Sequence, residues 1–252
     1  MNRFFSVMGL LIKLRSDEHG VSIGTTTAAF VLKKVGCIIL GADKEKGNIS
    51  GSTKLKTDKV FQLGENLEDV ELPQGYTRAG YEKDVDFMRA QLDTYVKENR
   101  NSSDITKMPE HVLRSVFDSN DQISAKHKGH LLLGGYNKGL VVPEPHLYYI
   151  SSSGVLDLTN VRDIVELQNR FQTGSGAGAA FYVLNEKYDP TMEEEDGIFL
   201  ILETIYNGIK NDKYTGEAIE YMVIRSNGSV EKREVSIRQF EEMRRQRMQQ
   251  RV

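Results

Sequence analysis

The sequence predicts an α+β fold, and three observations carry the prediction. It opens with β-branched and apolar runs, its hydrophobic spacing then changes to three and four, and strand-like runs return later without regular βαβ alternation. A chain of 252 residues can bury one large core, so a single domain is the default.

Residues 1–24 read as a leader that differs in character from the body and ends in Val21-Ser22-Ile23-Gly24. Its apolar stretch, Phe4–Ile12 between Arg3 and Lys13, is too short to span a bilayer. The polar run that follows lacks a small-residue cleavage pattern, which favours cytoplasmic residence over secretion. Thr25–Leu32 and Cys37–Leu40, joined by Lys33-Lys34-Val35-Gly36, predict a hairpin. A second pair of strands is expected over Gly51–Lys56 and Lys59–Leu63, with Thr57-Asp58 between them. Val85, Met88, Leu92 and Tyr95 then mark one helix, and Val112, Val116 and Phe117 a second, with Asn99–Lys107 as the polar break and Pro109 in a first turn.

Strands are expected again at Leu131–Leu133, Leu147–Ser151 and Ala179–Leu184, separated by Gly134-Gly135 and Ser153-Gly154. A third helix is signalled by Asp189-Pro190 and by Thr191 with Glu194 three residues on as a capping box. Ile198, Leu202, Ile205 and Ile209 share one of its faces. Ala218–Arg225 reads as the last strand, Asn227-Gly228 as a turn, and Val235–Arg251 as a charged helical tail.

Composition excludes several functions. The chain is 39% hydrophobic, as a folded protein requires, and its 33 basic against 36 acidic side chains leave a formal charge of -3. That balance supplies no field to hold nucleic acid or an anionic membrane. Cys37 stands alone, so there is no intrachain disulfide or cysteine zinc site, and a reducing compartment fits. His111, His127, His130 and His146 lack metal-ligand spacing, and the basic run Arg244-Arg245-Gln246-Arg247 fits a solvated helix face.

Two segments could carry chemistry. Gly174-Ser175-Gly176-Ala177-Gly178-Ala179 could approach a phosphate, or could be a tight loop where backbone meets backbone. As a dinucleotide fingerprint it is weak, because the fingerprint opens a helix and a strand is expected after it here. In Gly24-Thr25-Thr26-Thr27-Ala28-Ala29-Phe30 the threonines are ordinary strand formers, or Thr25 is a nucleophile using its own α-amine as base, which requires a cut after Gly24. Asp43, ending Gly41-Ala42-Asp43, and Lys59 could each be a solvated charge. Together they could form a pair in which the ammonium favours a deprotonated neighbour. Asn211-Asp212-Lys213-Tyr214-Thr215-Gly216 adds an acid followed three residues later by a hydroxyl.

In this order, Gly24–Thr27 with Ala29-Phe30, Gly41-Ala42-Asp43, Lys59-Val60, Ala79-Gly80, Gly174-Ser175-Gly176 and Asp212 through Tyr214-Thr215-Gly216 resemble the catalytic β subunits of the proteasome core particle, which are N-terminal-nucleophile hydrolases. The likeness covers about residues 24–230. It implies a four-layer α/β/β/α sandwich of two antiparallel sheets, with residues 1–24 removed by self-cleavage between Gly24 and Thr25 and residues 25–252 forming one peptidase domain. It implies a threonine endopeptidase that degrades unfolded polypeptides and needs no cofactor and no metal. Other β-type subunits in a heptameric ring, α-type rings and, indirectly, a regulatory ATPase are the implied partners, with no nucleic acid and no membrane.

By the same resemblance Thr25 is the nucleophile, Lys59 lowers the proton affinity at Thr25 and Asp43 orients Lys59. Gly80 N–H faces the developing oxyanion, and Ser175, Asp212 and Thr215 hold the threonine amine and the lysine. Arg78, with Lys46 and Thr57, is expected on the substrate side, where an arginine favours acidic residues unless Glu82 and Asp86 neutralise it. Three features depart from the family pattern: Glu45 in place of an arginine, Thr215 in place of a serine, and the acidic insertion after Leu63 and up to Tyr76. An inactive β-type ring subunit, an amidase on the same fold and, more remotely, a nucleotide-binding enzyme are the alternatives.

Overall fold

The runs Thr26–Leu32 and Cys37–Asp43 have no polar face to turn toward water, and both are buried along their whole length. The computed structural model describes residues 25–47, 54–65, 72–99, 104–118, 128–137, 142–161, 167–212 and 216–250, and of residues 45–47 and 54–56 only the backbone.

The chain begins with β1 (Thr26–Leu32), β2 (Cys37–Asp43), β3 (Glu45–Gly47), β4 (Lys54–Lys56), β5 (Val60–Gln62) and β6 (Gln74–Gly80). Helices α1 (Glu82–Glu98) and α2 (Met108–Asp118) follow, then β7 (Gly129–Tyr136), β8 (Pro145–Ser151), β9 (Gly154–Asp157) and β10 (Arg170–Gly174). The last part holds α3 (Ala177–Lys187), α4 (Glu194–Asn211), β11 (Ala218–Arg225), β12 (Val230–Ser236) and α5 (Ile237–Gln249).

Two five-stranded antiparallel sheets, ordered β10-β1-β2-β11-β12 and β5-β6-β7-β8-β9, stack face to face, and β3 pairs with β4 beside them. Strand alternation explains the layers. Ala29, Val31, Ile38 and Leu40 point into the space between the sheets and meet Leu132, Leu147 and Tyr149 of the second sheet. Phe30, Leu32, Cys37 and Ile39 point the other way, against Leu184 of α3 and Leu202 and Ile205 of α4. On the far side, Val85, Met88 and Leu92 of α1 and Val112 of α2 cover Leu131 and Leu133 of β7. The result is the expected four-layer α+β sandwich.

Several elements differ from the sequence reading. Ala179–Leu184 is helical, inside α3, because the segment opens on the helix-favouring Ala177, Ala179 and Ala180 and buries Ala180 and Leu184, four apart, on one face. Gly51–Lys56 and Lys59–Leu63 do not pair: β4 joins β3, and β5 joins β6 in the second sheet. Gly134 and Gly135 lie inside β7 rather than ending it. Glu193 stands at the N-cap position of α4 without a side-chain capping bond, and Thr191 is instead bonded to Asp189 in a turn, so the expected capping box is absent. The tail helix starts after β12, with a capping box formed by Ser236 and Gln239. Phe117 lies on the solvent side of α2, 49% exposed.

Candidate active site

Thr25 immediately precedes β1, and the two strands flanking β1 bring their ends to it. Thr26 lies opposite Gly174 of β10, and Thr27 opposite Ala42 of β2, so residues 174–176 and Asp43 converge on one strand end. Gly174 has φ +101°, and a Cβ there would sit 2.1 Å from the Thr25 carbonyl oxygen, so only glycine lets the loop come this close. Thr25 N–H donates to Ser175 Oγ at 2.9 Å, and the Ser175 hydroxyl donates back to the Thr25 carbonyl at 3.3 Å. Gly176 N–H also reaches that carbonyl, at 3.3 Å. The loop follows a strand and opens a helix, contrary to the expectation of a strand after it. A Cβ on Gly176 would meet Thr26 Oγ1 at 2.0 Å, so the loop is pressed onto β1 and leaves no phosphate-sized space on that side.

Asp43 ends β2 fully buried, not solvated. Its Oδ1 accepts Thr26 N–H at 2.6 Å, and its Oδ2 accepts the Lys59 ammonium at 2.8 Å and Gly216 N–H at 3.2 Å. Lys59, just ahead of β5, is itself 2% exposed. Two charges this deep persist because each meets the other and the carboxylate's remaining lone pairs are used. Burial pushes the Lys59 ammonium below its ordinary value, and Asp43 opposes that shift. Burial likewise pushes the Asp43 carboxyl up, against the pull of Lys59 and of the Thr26 and Gly216 N–H groups.

Thr25 and Lys59 open onto a cleft also lined by Thr57, Arg78, Ala79, Gly80, Glu82 and Val85. Its empty volume is about 310 Å³ counting the open mouth. Gly80 has φ +107°, and a Cβ would fall 2.0 Å from the Lys128 carbonyl oxygen, so the bend that leads from β6 into α1 demands glycine. Arg78 donates to Asp86 at 2.7 Å and to Thr57 Oγ1 at 3.3 Å, and its guanidinium lies 5.0 Å from the centre of the Phe61 ring.

The structure thus gathers Thr25, Asp43, Lys59 and Ser175 in one place, and Gly80, Arg78 and Thr57 around the adjoining cleft. Asp212 directly follows α4, and Lys46 pairs with Leu55 between β3 and β4. Gly24, Thr215, the leader 1–24 and most of the acidic insertion lie outside the described residues, as do the side chains of Lys46 and Glu45. Sequence reasoning missed Glu220, a 1% exposed carboxylate whose Oε1 accepts the backbone N–H of Lys59 and of Val60, the latter at 2.8 Å. Its signal was a glutamate inside the apolar strand Ala218–Arg225, since a buried charge in such a run is seldom idle.

The Proteasome subunit family model matches residues 21–224 of the chain. A proteasome subunit beta from Methanopyrus kandleri is 28% identical over 210 residues, covering 80% of this chain and 87% of the relative. A probable proteasome subunit beta type-2 from Schizosaccharomyces pombe is 28% identical over 218 residues, covering 81% of this chain and 68% of that protein. Proteasome subunit beta 1 of Saccharolobus islandicus is 25% identical over 230 residues, covering 89% and 95%. The match over most of the chain, on a sandwich whose layers fit, means that the chain belongs to the proteasome subunit family, with relatives named as β subunits.

Proposed function

We propose that this chain is a threonine endopeptidase of a proteasome core particle, made as a precursor and activated by cleavage between Gly24 and Thr25. The observation that carries the reading is the buried Lys59–Asp43 pair at 2.8 Å, on the same cleft as Thr25. A merely structural strand end has no use for two fully buried charges beside a hydroxyl, because burying such a pair costs more than packing apolar groups there.

In the proposed reaction the Thr25 hydroxyl attacks the substrate carbonyl carbon and its proton passes to the freed Thr25 amine, directly or through water. Lys59 favours the deprotonated oxygen by its charge, and Asp43 holds Lys59 in place. The negative charge that develops on the carbonyl oxygen meets Gly80 N–H. The C–N bond breaks, the leaving amine takes the proton, and an ester on Thr25 remains for water to hydrolyse. Ser175, already bonded to Thr25 N–H and carbonyl, keeps the residue aligned through these steps. Asp212 and Thr215 complete the surroundings of the amine in this reading. Unfolded polypeptides are the substrates, and β-type and α-type ring subunits in the cytoplasm are the partners.

The deciding experiment is the intact mass of the purified protein, co-expressed with an α-type partner, beside the same preparation of Thr25→Ala. Loss of residues 1–24 from the wild type and their retention in Thr25→Ala is the expected result. If both keep them although rings assemble, the chain is a structural subunit.

Arg78 gives the cleft a preference for an acidic side chain on the acyl side of the cut. Asp86 pairs with it at 2.7 Å and Glu82 lines the same cleft, so its charge is partly compensated and the preference is expected to be modest. Fluorogenic peptides ending in Glu, Leu and Arg test this: cleavage after Glu is expected to be fastest, and equal or faster cleavage after Arg overturns it.

A further inference from the structure

Lys59 is held at more points than its ammonium. Its carbonyl accepts Arg78 N–H of β6 at 3.1 Å, which ties it to the second sheet. On its other side the backbone N–H groups of Lys59 and Val60 both donate to Glu220 Oε1, from β11 of the first sheet. Glu220 lies opposite Ala42, the residue before Asp43, so one stretch of β11 and β2 supports both the Lys59 backbone and its ammonium. β5 is the edge of its sheet, and an edge strand leaves a row of N–H groups without a strand partner. Here the partner is a carboxylate reaching across the sandwich.

The other carboxylate oxygen, Oε2, faces Lys232 Nζ of β12 at 3.6 Å. Lys232 in turn approaches Asp58 at 3.8 Å, Asp58 meets Lys44 at 3.1 Å, and Lys44 meets Glu234. Alternating charges therefore run from the surface to the buried carboxylate. They place a cation more than a quarter exposed near Glu220, which opposes the burial that pushes its carboxyl above the ordinary range.

We propose that Glu220 is a positioning residue: it clamps the two backbone amides that flank the Lys59 Cα, those of Lys59 and Val60, across the two sheets and thereby aims the Lys59 ammonium at Asp43 and the Thr25 cleft. The proposal rests on the peptidase reading for its catalytic consequence, but the clamp itself is a statement about two amide groups. The hydrogen-bond acceptor is the working part, so glutamine serves where alanine does not.

The test compares Glu220→Gln, Glu220→Ala and wild type in the assembled particle, with two readouts: steady-state peptide cleavage and amide hydrogen exchange at Lys59 and Val60. Glu220→Ala is expected to exchange faster at those two amides and to lose about ten- to a hundred-fold in kcat with little change in KM, as misplacement of a catalytic group does. Glu220→Gln is expected to restore slow exchange and most of kcat. If alanine leaves both readouts at the wild-type level, or glutamine is as impaired as alanine in both, the clamp is overturned. If alanine loses kcat only in step with a failure to assemble, while the two amides of assembled material stay slow, the clamp is also overturned. If wild-type particles cleave nothing but exchange still separates alanine from glutamine, the peptidase reading falls and the clamp stands.

Discussion

Asp43 takes three donors from three separate parts of the chain: Thr26 of β1, Lys59 ahead of β5 and Gly216 ahead of β11. Each is hydrogen-bonded to the same carboxyl group, so replacing it disturbs all three at once. Asp43→Ala strands the Lys59 ammonium in a low-dielectric site, which costs about 3–5 kcal/mol for a buried pair broken on one side. Adding Lys59→Met to that variant is expected to recover the part of the loss that comes from the uncompensated charge, while the Thr26 and Gly216 N–H groups still lack their acceptor. Urea unfolding of the two variants and wild type measures this. If Asp43→Ala/Lys59→Met is no more stable than Asp43→Ala, the pair is not the origin of the cost. The sequence could show Asp43 and Lys59 only as a plausible pair. Sixteen residues of separation say nothing about distance, and it was the order of short motifs, not any one of them, that favoured the pair over two surface charges. Glu220 was invisible in that order because it matches no motif, and its role is set by the fold.

Among the elements, those with strong apolar patterning were legible: β1, β2, α1, α4 and β11 all bury long runs, and hydrophobic spacing reports burial directly. The strands missed were polar or short. β12, Val-Glu-Lys-Arg-Glu-Val-Ser, is an edge strand with four charged residues in a row, the composition that discourages pairing with another chain and also hides it from a search for apolar alternation. That strand is anchored by Arg225 at the end of β11, which bonds Glu231 of β12 at 2.7 Å and Glu194 at the start of α4 at 2.6 and 2.8 Å. Arg225 holds the Glu231 carboxyl below the ordinary carboxylate range. A carboxyl lowered in the folded state adds stability that is present above its unfolded value, near about 4.3, and is lost as pH falls through the folded value. Glu231→Gln is therefore expected to be less stable than wild type at about pH 6, with the gap narrowing as pH falls below about 4.3. Thermal unfolding midpoints across that range check the sign. A gap that widens toward acid means that Arg225 does not stabilise the charged form.

At the scale of the whole molecule, the candidate site is divided between the sheets. Asp43 lies in the first sheet and Thr25 and Ser175 adjoin its strands, whereas Arg78 and Gly80 lie in the second sheet and Lys59 adjoins it. The distance from Lys59 to Asp43 is therefore set by how the two sheets pack, and the layer between them is as much part of the site as the residues that line it. Neighbouring leucines on β7 separate this effect from stability in general. Leu132 points between the sheets toward the layer containing Val31 and Leu40, and Leu131 points away from it, against α1 and α2. Both are fully buried, so truncating either to alanine is expected to cost about 2–5 kcal/mol. Their effects on function should differ. Leu132→Ala lets the sheets relax toward each other and shifts Lys59 relative to Asp43, so peptide turnover is expected to fall about ten-fold or more. Leu131→Ala loosens only the outer helices and is expected to keep turnover within a few-fold of wild type at temperatures where both variants remain folded. Measuring turnover and unfolding free energy on the same preparations decides between the two accounts. If turnover falls equally in both at equal stability, the site is insensitive to sheet packing, and its geometry is fixed locally, by the hydrogen bonds around Asp43.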